Sequence, residues 1–190
     1  MQSDIDIWVN GVWLALGVIW LIGALVTKRT ARVQTSGSRL IQFGLTAAGF
    51  FLVLQPDLDI GFLGYRFLPQ SSAAAYLGFA LTVCGAALAV SARVILGKNW
   101  SAAVTIKQDH EIIRRGPYAL VRHPMYSGFL LALLGTALAL GEVRGLLGLG
   151  FVFLGLWLKL RTEEQFLTEQ FGARYKQYQR ESKALIPFVL

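Results

Sequence analysis

Both histidines of the chain, His110 and His123, lie in one polar stretch, HEIIRRGPYALVRHPMYSG (110–128), between two long apolar runs. Tyr118, Tyr126, Arg114, Arg115, Arg122 and Glu111 share those 19 residues with Pro117 and Pro124. Pro124 pushes His123 out of helical geometry and suits the first turn of a helix, so a helix amino terminus opens beside His123 and Tyr126. Free backbone N–H groups there suit a carboxylate or another anion. Aromatic faces near acidic and imidazole groups suit an adenine ring and a sulfonium cation. Further on, Lys159-Leu-Arg161-Thr-Glu163-Glu164 sets two cations and two acids at the end of an apolar run. An acid there could hold an amine or a ribose, and a cation could hold a carboxylate.

Each piece also has a plainer reading. Arg122 and His123 fit interfacial anchors flanking a membrane helix, Gly116-Pro117-Tyr118 fits a turn and nothing more, and Lys159 with Glu163 fits a solvated i to i+4 pair. What favours chemistry is their company on one side of the membrane. Metal chemistry is excluded by the same residues: two histidines 13 positions apart without a cysteine cluster are poor zinc ligands. The single Cys84, inside an apolar run, cannot form a disulfide framework and reads as a small core residue.

The elements that must position these groups are membrane helices. Of 190 residues, 55% are hydrophobic and only 15% charged, and the mean hydropathy is +0.53, values wrong for a soluble domain. The formal charge of +7 comes from short basic segments between apolar runs, which excludes a nucleic-acid face and matches a cytoplasmic membrane surface. Five spans are expected: Trp8 to Val26, Leu40 to Leu54, Ala73 to Leu96, and a hairpin of Tyr126 to Leu140 and Gly145 to Leu158 joined by Gly141-Glu142-Val143-Arg144. The second run and both hairpin helices are shorter than the ~20 residues that cross a bilayer unaided. Trp8 and Trp13 suit interfacial anchors, and Arg93 can snorkel to headgroups from the end of the third run.

Lys28, Arg29, Arg32 and Arg39 place the first loop inside, and Asp57 and Asp59 against Arg66 place the next outside. The cation-rich 97–122 segment is then inside, with the amino terminus outside and the carboxyl terminus inside. The first acidic residues, Asp4 and Asp6, argue against a signal peptide and for a retained span. From Lys159 to Leu190, Phe166, Leu167, Phe171, Tyr175 and Tyr178 recur at helical spacing, so the tail reads as an amphipathic helix broken near Gly172. Gly145, Gly148, Gly150 and Gly155 fall within an apolar helix and read as helix-packing positions rather than a nucleotide fingerprint.

With these pieces in place, the sequence resembles the isoprenylcysteine carboxyl methyltransferases and their wider relatives, the membrane phospholipid methyltransferases. The matching motifs are Gly97-Lys-Asn-Trp-Ser101, His110-Glu-Ile-Ile113, Gly116-Pro-Tyr118, Arg122-His-Pro-Met-Tyr-Ser-Gly128, Glu163-Glu164, and Phe171-Gly-Ala-Arg-Tyr175 with Tyr178 and Pro187. They cover about the last half of the chain, in the family's order. The resemblance implies an all-α integral membrane protein in which residues 1–96 form three spans and 97–190 a catalytic region. It implies S-adenosylmethionine in a cytoplasmic pocket made by the 97–126 segment and the carboxyl-terminal helix. His110, Glu111, Ile112, Ile113, Tyr118, His123, Pro124, Met125 and Tyr126 would line the cofactor, with Glu163 and Glu164 contacting it. The family's substrate-side cation falls on Lys159, with Arg161 as the alternative, beside Glu163 at the reacting centre.

The implied acceptor is the carboxylate of a prenylcysteine-like or other lipophilic molecule, approached through the membrane lipid. A chain without the extensions of eukaryotic members reads as a prokaryotic inner-membrane protein. A carboxylate is ionised at neutral pH and needs no general base, so direct methyl transfer asks the protein for alignment, dryness and a counter-charge. A lipid amine or a thiol would need His123 or Glu164 as base. A non-enzymatic membrane scaffold is the remaining alternative.

Overall fold

A computed structural model describes residues 2–25, 30–33, 36–55, 58, 60–97, 100, 105–107 and 112–189, with the backbone alone for 2–4, 30–33, 36 and 105–107. The helices are α1 (Gln2–Ala24), α2 (Ser36–Leu54), α3 (Ser72–Leu96), α4 (Pro124–Leu140), α5 (Val143–Phe171) and α6 (Ala173–Glu181). Their apolar runs leave the backbone no partner but itself in a hydrocarbon solvent, and a helix satisfies it internally. The polar joints supply the boundaries. Ser71 caps α3 by accepting from the Ala74 N–H at 3.1 Å, and Gly172, at a φ of +54°, turns the chain from α5 into α6.

Helices α1, α2, α3 and α5 are long and apolar enough to cross a membrane, whereas α4, at 17 residues, is shorter. The fold is that of an all-helical integral membrane protein. Of the five apolar helices, α4 relies on its neighbours for a setting, because 17 residues rise only ~25 Å. The last apolar helix does not end near residue 158. It runs unbroken through Lys159 to Phe171, so the first part of the expected amphipathic tail is an extension of α5.

Packing pairs the helices antiparallel, α3 with α4 and α2 with α5. Small residues let the backbones approach. A Cβ on Gly78 would sit 2.5 Å from the Gly135 carbonyl and 2.7 Å from the Ala139 nitrogen, and one on Gly128 would sit 2.6 Å from the Ala89 nitrogen. On the α2–α5 side a Cβ on Gly148 would sit 2.6 Å from the Gly49 carbonyl, the helix-packing role expected for it, whereas one on Gly150 would meet nothing within 4 Å, so that glycine does not share the role. Between α1, α3 and α4 runs a buried polar seam: Trp13 Nε1 donates to Thr136 Oγ1 at 3.0 Å, and Thr136 and Thr82 share a bond at 3.2 Å.

Trp13 is therefore a core residue, not an interfacial anchor; its ring packs against Phe50 and Phe129. Arg93 does not snorkel either. It is buried, donates to the Gly23 and Gly97 carbonyls near the ends of α1 and α3, and lies 4.4 Å from the Trp100 ring. Carbonyls at helix carboxyl ends attract a guanidinium as headgroups would. Cys84 points outward from α3 rather than into the core, alongside exposed apolar side chains such as Leu77, Val83 and Val94 that suit lipid.

Two polar joints hold the ends of the bundle. At one, Arg144 Nε donates to Glu142 at 2.6 Å, its guanidinium reaches the Gln55 carbonyl, and Arg66 pairs with Glu142 at 3.5 Å. At the other, β1 (Thr30–Val33) and β2 (Thr105–Lys107) form an antiparallel two-stranded ribbon, which hydrophobic periodicity did not announce. The ribbon joins the two basic segments that the charge pattern places on one face, and β2 packs on α5. Lys28, Arg29, Asp57 and Asp59 lie outside the described residues.

Candidate functional site

The amino end of α4 and the polar part of α5 meet the segment after α6. Pro124 starts α4, and His123 precedes it at φ −125°, ψ 58°, outside the helical region as the Pro124 constraint requires. The backbone of the cap is not left bare: the Arg122 and His123 N–H groups donate to the Lys183 and Ala184 carbonyls at 2.8 and 2.9 Å. Ser127 Oγ donates to the Leu185 carbonyl at 2.6 Å. A short parallel pairing of 121–123 with 183–184 thus clamps the Arg122-His123-Pro124 turn.

On this frame the side chains converge. Glu163 and Glu164, adjacent on α5, both reach His123: Nδ1 lies 3.5 Å from Glu163 Oε2, and Nε2 lies 3.3 Å from Glu164 Oε1. Tyr126 stacks on the imidazole, with centroids 5.4 Å apart and planes 3° from parallel, and its hydroxyl donates to Glu163 Oε1 at 2.7 Å. Arg122 Nε donates to Glu164 Oε1 at 2.6 Å, Gln179 Nε2 donates to Glu164 Oε2 at 3.1 Å, and the Arg122 guanidinium also bonds the Gln179 and Ser182 carbonyls.

The electrostatics follow from this crowding. Burial alone would depress the His123 imidazolium, but hydrogen bonds to Glu163 and Glu164 and their charges outweigh it and hold His123 above its ordinary value. Both ring nitrogens face a carboxylate, an arrangement that suits a ring able to donate on each side. The two carboxylates thus favour the imidazolium form of His123, which sits between them. Tyr118, in the 3-10 turn Gly116–Ala119, is buried against α3, where its hydroxyl donates to the Ala92 carbonyl at 3.4 Å. Burial and the nearby Glu163 push its phenol up. The Tyr178 hydroxyl donates to the Tyr118 carbonyl, and burial raises that phenol to about 12.

The residues singled out from the sequence divide accordingly. His123, Pro124, Tyr126, Glu163 and Glu164 come together directly, and Lys159 joins them with its ammonium 5.5 Å from the Tyr126 ring centroid. Met125 follows Pro124 in the first turn and packs against the buried core, while Tyr118 forms the wall toward α3. Arg161 is exposed and lies 5.6 Å from Trp157 instead of facing the acids. Ile112 and Ile113 are half-buried in the approach to the 3-10 turn. His110 and Glu111 lie outside the described residues. Sequence reasoning missed Gln179, Ser182 and the 183–185 backbone as parts of this cluster. No motif signals them, since two of the three contribute through carbonyls that any residue carries. Among the described residues no group of His, Cys, Asp and Glu could hold a metal ion.

Comparison with known proteins matches this same region. The phospholipid methyltransferase family profile matches residues 73–174, from the start of α3 through the acid pair of α5. Among curated proteins the chain is 37% identical over 111 residues to the protein-S-isoprenylcysteine O-methyltransferase of Schizosaccharomyces pombe, covering 55% of this chain and 46% of that one. It is 32% identical over 142 residues to the Saccharomyces cerevisiae protein of the same name, covering 72% and 56%. It is 30% identical over 117 residues to a probable protein-S-isoprenylcysteine O-methyltransferase of Oryza sativa, covering 60% and 61%. The chain thus spans about half to three fifths of the length of these relatives. With the match running over more than half of its residues and including His123, Tyr126, Glu163 and Glu164, the chain belongs to the phospholipid methyltransferase family.

Proposed function

We propose that the protein is an S-adenosylmethionine-dependent membrane methyltransferase that esterifies the carboxylate of a prenylcysteine-like or other lipophilic acceptor. The observation that carries the choice of acceptor is the double pairing of His123 with Glu163 and Glu164. Each candidate base is already engaged, and an acceptor that is ionised at neutral pH needs none. The names of the relatives, protein-S-isoprenylcysteine O-methyltransferases, support the same reading.

The donor set fits the cofactor. The Glu163 and Glu164 side chains are 22% and 16% exposed, and their carboxylates are the groups that would hold a ribose hydroxyl or an ammonium group. The stacked Tyr126–His123 pair and buried Tyr118 supply flat faces for an adenine ring. S-adenosylmethionine, when bound, supplies a methyl carbon on an already activated sulfonium. Glu163, oriented by the Tyr126 hydroxyl, and Glu164, oriented by Arg122 and Gln179, would bind and align it. His123 holds the two acids at a fixed separation and offsets their charge. Lys159, over the Tyr126 ring, supplies the cation for an incoming carboxylate, and the apolar surfaces of α4 and α5 keep the acceptor's tail out of water. The cation-rich loops support a site on the cytoplasmic side, with the amino terminus opposite.

A second reading, transfer to a lipid amine, rests on the family's description as phospholipid methyltransferases. The test begins with calorimetric titration of purified protein with S-adenosylhomocysteine. Wild type should bind saturably, and Glu163→Ala should lose binding while keeping its helical circular dichroism. Normal binding by a folded Glu163→Ala protein would sink the site assignment. Acceptor screening then decides the class, because a carboxyl product is a base-labile ester and a methylamine is not. In that screen Lys159→Ala should raise the acceptor KM more than Arg161→Ala does, leaving cofactor affinity unchanged.

A further inference from the structure

The segment after α6 carries a pattern the methyl-transfer site does not explain. Ser182, Ala184 and Leu185 are buried, with Ala184 and Leu185 packed into the apolar core. The residues that follow reverse this: Ile186 is 51% exposed, Val189 71% and Phe188 92%. Large apolar side chains rarely stand this far out of a soluble surface as a group.

The hydrogen bonds say where that group lies. Residues 183 and 184 run parallel to 121–123, so the segment advances in the direction in which α4 enters the apolar bundle. Leu185 is level with Ser127, one helical turn inside the start of α4. Ile186 to Val189 then fold into a tight turn, the Val189 N–H meeting the Ile186 carbonyl at 3.1 Å, with Phe188 at a φ of +65°. The turn therefore sits beside the first membrane-facing turn of α4. Behind it, toward the polar side, exposed cations line the approach: Lys176, Arg180 and Lys183.

We propose that residues 180–189 form an interfacial anchor for an anionic membrane leaflet, with Ile186, Phe188 and Val189 in the acyl region and Arg180 and Lys183 among the headgroups. Apolar side chains leading and cations trailing is the order in which such a segment meets a bilayer from the polar side. The anchor has a consequence for the site. The carbonyls of Ser182, Lys183 and Ala184 hold the Arg122 guanidinium and the Arg122 and His123 N–H groups. Seating the turn in lipid thus braces the strip of backbone on which the His123 cluster is built.

The test uses the full chain in vesicles of phosphatidylcholine, with or without phosphatidylglycerol. Cys84→Ser removes the native thiol, and Phe188→Cys accepts an environment-sensitive fluorophore. The expected result is blue-shifted emission, quenched by nitroxide on lipid acyl chains and protected from aqueous iodide, with stronger protection when phosphatidylglycerol is present. Emission quenched by iodide and untouched by lipid nitroxide overturns the proposal. So does a fluorophore shielded from both, which would mean that the turn packs on protein, as in a dimer. In a second arm, Arg180→Glu with Lys183→Glu should abolish the phosphatidylglycerol dependence while the acyl-chain quenching persists; an unchanged dependence removes the anionic half of the proposal. Neither readout involves methyl transfer, so this anchor and the proposed activity stand or fall separately.

Discussion

The ion cluster around Glu164 makes the sharpest energetic claim. Glu164→Gln keeps the shape of the side chain and removes its charge, leaving Arg122 and His123, both largely buried, with one anion fewer. The 2.6 Å bond from Arg122 becomes one from a cation to a neutral amide, and the 3.3 Å contact with His123 and the 3.1 Å bond from Gln179 lose their charged acceptor. A bond to a charged group contributes about 1.5–3 kcal/mol against about 1 kcal/mol for a neutral one, so the Gln179 bond alone loses about 0.5–2 kcal/mol. Stranding a buried cation adds to this, up to the ~3–5 kcal/mol seen when a buried pair loses one partner. At ~2–4 °C per kcal/mol for a chain of this size, thermal unfolding should fall by roughly 5–15 °C.

The decisive assay is a double-mutant cycle with Arg122→Gln, followed by thermal unfolding in one detergent. If the two groups stabilise each other, the double variant is less damaged than the sum of the singles, with a coupling of about 1.5–3 kcal/mol. Additivity within ~0.5 kcal/mol would refute the reasoning, since it would mean that Arg122 acts only through the Gln179 and Ser182 carbonyls.

Two further outcomes follow from the same structure. His123 titrates above its ordinary value of 6.5, so the stabilisation from its two carboxylates is complete below that pH and disappears as pH rises through the folded-state value. The difference in melting temperature between wild type and His123→Gln should therefore shrink from acid to alkaline pH, and a constant or growing difference would contradict a protonated ring. Gly78→Val should prevent a monodisperse folded protein, because its Cβ would meet the Gly135 carbonyl at 2.5 Å, whereas Gly11→Ala, with nothing within 4 Å, should be neutral or stabilise by up to ~1 kcal/mol. Comparable behaviour of the two variants in size-exclusion chromatography would remove the close-packed seam as the basis of the fold.

Three side chains sit where their type alone does not put them. By type, the amphipathic ring of Trp13 suits the interface, the long cation of Arg93 the headgroups and the small thiol of Cys84 the core. Each went elsewhere because its partner was remote in sequence or its helix faced another way. Trp13 found Thr136 across 123 positions, and Arg93 found Gly23 across 70. The ribbon of Thr30–Val33 with Thr105–Lys107 escaped notice for the same reason, since strands this short carry no period of their own.

Features that depend on local chemistry are legible in the residues alone. Long apolar runs must be helices in lipid, Pro124 must open a helix beside His123, Gly172 must break the one before it, and adjacent Glu163 and Glu164 must share one end of a helix. Which charges meet depends on the packing of the folded chain. That α5 continues as one helix past residue 158 carries the acid pair to the His123 turn, and that the 183–185 backbone pairs beneath that turn sets its geometry. Neither is legible in the sequence, because backbone carbonyls have no signature there, and because the energy of an ion cluster belongs to the arrangement of its members and to none of them alone.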